Sequence, residues 1–254
     1  MENLWTGSFT VRAGEADLYG RASLRTLSQY LEEAAYRHAD RLGFSYHPMR
    51  EKGVFWVLFR MRLEVDRYPQ WTEEVELETW ARGFSRLFAR RDFLIRDARS
   101  QVIGRASSQW LLLGLENRRP VRPETVFSMP AEGTERSALP ADPGAAPQAT
   151  SYSESHRIAA RYGDLDVNRH VNHTRYVEWA LNCMEPGWYA HRTIRTLQME
   201  YLEETRDSCP IRLEKGPLDS RSLAIRAVRE DTGKAVFHAF LQWDDTPIPC
   251  EPTS

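Results

Sequence analysis

The feature that most constrains this chain is a proline-rich interruption near its middle. Between Glu116 and Thr150 stand Pro120, Pro123, Pro130, Pro140, Pro143 and Pro147, set among Ala, Ser, Glu and Gly. Proline removes a backbone donor and turns the preceding residue away from helix, so such a stretch crosses a surface as a linker and does not enter a sheet interior. With residues 116–150 as linker, the 254 residues divide into 1–115 and 151–254, each of a size that carries its own core.

The same order of elements is written on both sides of this linker. A short extended segment comes first, Phe9 to Ala13 and later His156 to Ala160. An acidic turn follows, and then a helical pattern. Leu24, Leu27, Leu31, Ala34, Ala35, His38 and Leu42 share one face at three- and four-residue spacing, as do Val171, Thr174, Val177, Leu181 and Met184 before Pro186-Gly187 stops the run. Strand-like runs complete each half: Val54 to Leu63, Val75 to Ala81, Leu87 to Arg96 and Val102 to Leu113, then Thr193 to Tyr201, Ile211 to Lys215, Leu223 to Glu230 and Ala235 to Trp243. One helix and an antiparallel meander, twice, is an α+β duplication. Local wording repeats as well, with Asp17-Leu18 laid over Asp164-Leu165, and Met61, Leu63 and Asp66 over Met199, Tyr201 and Glu204.

Composition narrows the function. A formal net charge of -2 gives no global attraction to nucleic acid or anionic membrane, and no basic helix-turn-helix segment precedes Phe9. Apolar runs fall short of the roughly 18 residues that cross a bilayer. The opening residues lack the basic and apolar regions of a secretory signal, and Cys183, Cys209 and Cys250 are too scattered for a disulfide framework. The expectation is a cytoplasmic protein with no stable membrane insertion, monomer or homodimer.

The densest polar constellation is Asp164, Asp166, Asn168, His170, Asn172 and His173, just before the second helical pattern. If the stretch is extended, Asp166, Asn168 and His170 present a carboxylate, an amide and an imidazole to one cavity. Asn172 is a candidate N-cap, and the opening turn of a helix suits an oxygen that gains negative charge. The plain alternative is a set of turn and capping residues. Glu204 by itself reads as a strand-end glutamate; beside the helix opening it supplies a carboxylate base. A metal at His170, His173 and Glu178 lacks a compact ligand signature.

At these residues the sequence resembles the acyl-acyl-carrier-protein thioesterases of plants and bacteria. Asp166, Asn168, His170, Val171 and Asn172 meet the family's pattern of Asp, any residue, Asn, any residue, His, Val, Asn and a helix; Glu200-Tyr201 and Glu204 meet its second element. Arg90-Arg91-Asp92-Phe93 and Arg96-Asp97 look like its basic strand and turn. The resemblance implies a tandem hotdog, two antiparallel sheets each wrapping a long central helix. It implies an N-terminal half that houses the acyl chain and a catalytic C-terminal half. It also implies hydrolysis of fatty acyl-acyl carrier protein to free fatty acid without a cofactor. Catalysis then belongs to Asp166, Asn168, His170 and Glu204, with Asp166 either attacking directly or orienting. Thr205 stands where plant members commonly carry Cys, so a thiol nucleophile is missing there. Acyl-CoA hydrolysis, hotdog hydratase or dehydratase chemistry and a non-catalytic acyl-binding module stay open as alternatives. The hydratase pattern, however, places two residues between Asn and His where only Arg169 stands here. For an acidic carrier protein, the candidate docking surfaces are Arg82, Arg86, Arg90 and Arg91, and Arg118, Arg119 and Arg122 at the linker's start.

Overall fold

A computed structural model describes residues 3–127 and 136–246; Pro130 and Cys250 lie outside the described residues. The first half runs β1 (Trp5–Thr10), α1 (Leu24–Arg41), α2 (Tyr46–Glu51), β2 (Val54–Val65), β3 (Glu74–Ser85), β4 (Phe88–Arg96), β5 (Val102–Gly114) and the two-residue β6 (Pro120–Val121). The second runs β7 (Ser153–Ala159), α3 (His173–Leu181), β8 (Thr193–Tyr201), β9 (Pro210–Asp219), β10 (Ser222–Arg229) and β11 (Ala235–Asp244).

Each half forms an antiparallel sheet, and the two sheets join edge to edge through β2 and β8. The strand order is β1-β3-β4-β5-β2-β8-β11-β10-β9-β7, so the duplication is read outward from a central seam. At the seam Arg62 faces Gln198, and the Arg60 guanidinium bonds the Glu200 carboxylate. Period-two alternation sends Leu197 and Met199 into the core and Gln198 and Glu200 to the opposite face.

Helix α1 buries Leu24, Leu27, Leu31, Ala34 and Ala35 against Phe93, Ile95 and Leu63, the face foreseen from its spacing. Each of its large apolar side chains contributes about 1.5–3 kcal/mol by leaving water. Val177 and Ala180 of α3 join the same core, and the helices meet where Arg25 pairs with Glu178 at 3.3 Å.

Helix α3 is shorter than the expected Val171–Met184. Val171 instead bridges Leu165, and the chain turns after Leu181. The long helix of the second half is thus a nine-residue one, half the length of α1. The start of the linker also departs from expectation: Pro120-Val121 pairs with Leu113 and Leu112 of β5, just past Leu111, where β4 begins its pairing at Phe88. Proline fits there because β6 is an edge.

The rest of the described linker straps the sheet's outer face. Asp92 accepts from the Ala138 N–H at 2.7 Å, Asp142 bonds Arg82, and Gln198 donates to the carbonyls of Gly144 and Ala145. Where the linker leaves, the Ser151 carbonyl lies 2.2 Å from where a side chain on Gly216 would begin, so β9 requires glycine there.

Candidate active site

The stretch from Asp164 to Asn172 is a tight turn, in contrast to the extended segment expected from alternation. The Asp166 N–H donates to the His170 carbonyl at 2.8 Å, and Arg169 adopts φ 62° to close the loop. The Asp166 carboxylate accepts from the N–H groups of Asn168 (2.8 Å) and His170 (3.3 Å), the short local bonding to which Asp is suited. One oxygen of Asp166 therefore organises the loop. The turn leaves Asn168 exposed at its tip and turns His170 inward, 8% exposed.

Asn172 caps α3 as expected, accepting from the Thr174 N–H at 2.9 Å. Its backbone carbonyl takes the Arg175 N–H, so two donors of the opening turn are already used and the helix end offers less to an oxyanion than its position implied.

Glu204 reaches this loop through its neighbour. The buried Thr205 accepts from the Val171 N–H at 2.8 Å and donates its own N–H to the Tyr176 hydroxyl at 3.2 Å. Pinned in this way, the chain holds Glu204 Oε2 3.5 Å from His170 Nε2. A carboxylate and an imidazole at this separation, one partly exposed and the other buried, form a unit that can take a proton from water and polarise a carbonyl.

Sequence reasoning missed the first half's contribution to this site. Arg118 donates to Glu204 Oε1 at 3.2 Å. Glu32 of α1 accepts from the Asn172 side chain at 2.9 Å and lies 3.6 Å from His173 Nδ1. The His173 ring packs edge-on to Trp110 of the first half and Tyr201 of the second. A groove of about 190 Å³ lies between α1 and the turn, lined by Gln29, Glu32, Asp164, Asp166, Asn172 and Arg175. Glu32 falls on a helix face with no motif around it, and only the tertiary fold reveals its role.

The hydrogen bonding also revises the internal alignment. In the first half Asp17 N–H bonds the Arg21 carbonyl at 2.7 Å, the Asp17 carboxylate takes the N–H groups of Tyr19 and Arg21, and Gly20 has φ 72°. That is the Asp166–His170 loop again, so Asp17 matches Asp166 and not Asp164. The Ala22 N–H to Pro69 carbonyl bond likewise matches Val171 to Thr205, which places Tyr68 opposite Glu204 where Asp66 was expected. In place of His170 and Glu204, the first half carries Arg21 stacked on Tyr68 at 4.6 Å. These two are buried and bond across to Thr193 and Ile194, so the equivalent centre is closed.

The basic cluster on the fourth strand does not form one surface. Arg90 bonds Asp142 and the Arg82 carbonyl under the linker strap. Arg91 points the other way, to His38 and Thr79, and its burial pushes the guanidinium pKa down to about 10. Arg118, Arg119 and Arg122 are exposed, and Arg118 contacts Glu204. Glu178, weighed as a metal ligand, pairs instead with Arg175 and Arg25. Among the described residues no group of three or more His, Cys, Asp or Glu stands ready for a metal.

Two family models match in tandem: the acyl-ACP thioesterase N-terminal domain over residues 2–127 and the C-terminal domain over 147–244. An oleoyl-acyl carrier protein thioesterase of Coriandrum sativum is 32% identical over 215 residues, 77% of this chain and 58% of that protein. A palmitoyl-acyl carrier protein thioesterase of Arabidopsis thaliana is 31% identical over 221 residues, 79% of this chain and 52% of that one. The chain thus spans a little over half the length of these curated relatives. Among solved structures, the 12:0-ACP thioesterase of Umbellularia californica superposes with a TM-score of 0.84 at 25% identity, covering 96% of this chain and 98% of that one. An acyl-ACP thioesterase of Bacteroides thetaiotaomicron shares the fold, with a TM-score of 0.83 at 24% identity over 95% and 98% of the two chains. With both halves matched in order and the tandem hotdog fold shared, the chain belongs to the acyl-ACP thioesterase family.

Proposed function

We propose that this protein hydrolyses the thioester between a fatty acyl group and acyl carrier protein, releasing the free fatty acid. The observation that carries the reading is the His170–Glu204 pair, 3.5 Å apart, with the carboxylate partly exposed and the imidazole carried on a turn organised by Asp166. Glu204 takes a proton from water as the water oxygen bonds to the thioester carbon. His170 and Asn168 polarise and orient the carbonyl. The tetrahedral intermediate then expels the carrier's thiolate, which recovers the proton from Glu204. Asp166 is assigned to orientation, because its carboxylate already accepts two loop N–H groups.

The acyl chain is assigned to the first half, where α1 lays an apolar face on the sheet and the equivalent polar centre is closed by Arg21 and Tyr68. For the carrier, the names of the plant relatives support acyl carrier protein, and the exposed Arg119 and Arg122, near in sequence to the Arg118 that contacts Glu204, suit an acidic partner.

The test compares hydrolysis of acyl-acyl carrier protein with that of a small neutral acyl thioester. Expected is a carrier kcat/KM that falls with salt, as screening shortens to about 8 Å at physiological ionic strength. Arg119→Glu should lower it roughly tenfold while sparing the neutral substrate. Hydrolysis of neither substrate would reject the activity; equal kcat/KM values that do not respond to salt would reject the carrier.

A further inference from the structure

Arg118 lies in the stretch read from the sequence as linker, yet the structure builds a hairpin around it. The Gly114 N–H donates to the Arg119 carbonyl, the Arg118 N–H to the Gly114 carbonyl, and the Asn117 side chain accepts from the Arg119 N–H, at 2.9–3.0 Å. Leu115 is anchored to the Gly53 carbonyl, and Pro120-Val121 zips onto β5. The turn is specified in detail. Arg118 takes the left-handed φ of 55°, and a side chain on Gly114 would begin 2.7 Å from Asn117 Oδ1. The Arg118 guanidinium lies over the Phe55 ring, 4.7 Å from its centre, and donates to Glu204 Oε1 while Oε2 faces His170.

An exposed ion pair contributes little to folding. A turn that fixes the guanidinium between an aromatic ring and one particular carboxylate oxygen has a different consequence: it selects one rotation of the Glu204 carboxylate. With Oε1 occupied by Arg118, Oε2 is the oxygen left for water beside His170.

We propose that Arg118 is a positioning residue, supplied by the first half, that aligns the second half's Glu204 for general-base catalysis. This rests on the reading of Glu204 as the base. The catalytic centre is then complete only when both halves and the β5–β6 hairpin are assembled. It also distinguishes Arg118 from its exposed neighbour Arg119, which is assigned to the carrier.

The test uses the full chain and a small neutral acyl thioester, which has no carrier to dock. Steady-state turnover is measured for the wild type, Arg118→Gln, Arg118→Lys, Glu204→Gln and the Arg118→Gln/Glu204→Gln double variant. Arg118→Gln should lower kcat about tenfold, a fraction of the roughly 10²–10⁴-fold that a general base supplies, with KM little changed. Arg118→Lys should recover part of the loss, thermal unfolding should not move, and in the Glu204→Gln background Arg118→Gln should cost nothing further. Wild-type kcat in Arg118→Gln, or the same loss in both backgrounds, overturns the proposal. Normal turnover in Glu204→Gln would instead remove the base assignment itself, and the positioning role with it.

Discussion

Thr205 is held by its backbone on both sides, to Val171 and to Tyr176, and its side chain is buried. The residue next to Glu204 therefore serves the scaffold, and no thiol takes its place. Burial pushes the Cys183 thiol pKa up to about 11, and Cys209 is shifted in the same direction for the same reason. At pH 8 the Cys183 thiolate fraction is small, so iodoacetamide should leave Cys183 unmodified by mass spectrometry with turnover unchanged. Rapid inactivation tracking alkylation of Cys183 would contradict this. At this scale the spacing of Asp166, Asn168 and His170 drew attention to the turn, whereas Glu204 read alone as a strand-end glutamate and entered only through the family resemblance. The sequence pointed to Arg118 only as a docking residue and left Glu32 silent, because contacts between residues 86 and 140 positions apart in the chain leave no local pattern.

Among the elements, the two equivalent loops have diverged in opposite directions. The second keeps a paired imidazole and carboxylate, whereas the first holds Arg21 and Tyr68 at the equivalent positions and uses them to grip the other half. The Tyr68 hydroxyl donates to the Ile194 carbonyl at 2.7 Å within a buried setting. Tyr68→Phe should destabilise the protein by about 1–3 kcal/mol, since the carbonyl is left without its donor, while turnover of a neutral thioester stays within about twofold. A large loss of kcat with unchanged unfolding would give Tyr68 a catalytic role instead. Element order and nearly every strand were legible from alternation and spacing. The register of the repeat was not: matching Asp17-Leu18 to Asp164-Leu165 by letters missed a two-residue shift that the loop hydrogen bonds fix. The length of α3 was missed because Val171 is apolar at helical spacing yet spends its N–H on Thr205.

Across the whole molecule, fusing two sheets at β2 and β8 sets α1 beside α3, so that Glu32 and Arg118 of one half reach Asn172 and Glu204 of the other. The linker reinforces that arrangement from outside, crossing from Asp92 to Gln198 and Glu200 over the seam. The duplication was visible in the sequence, but its joining into one sheet was not, because seam strands carry the same alternation as any other strand. The central claim is that thioester hydrolysis belongs to the second half's His170 and Glu204. The direct measurement is kcat on acyl-acyl carrier protein for His170→Ala and Glu204→Gln, each first shown to unfold at the wild-type temperature. General-base and oxyanion contributions are each worth about 10²- to 10⁴-fold, so both variants should lose at least roughly 10²-fold. Near-normal turnover in the two folded variants would contradict the account.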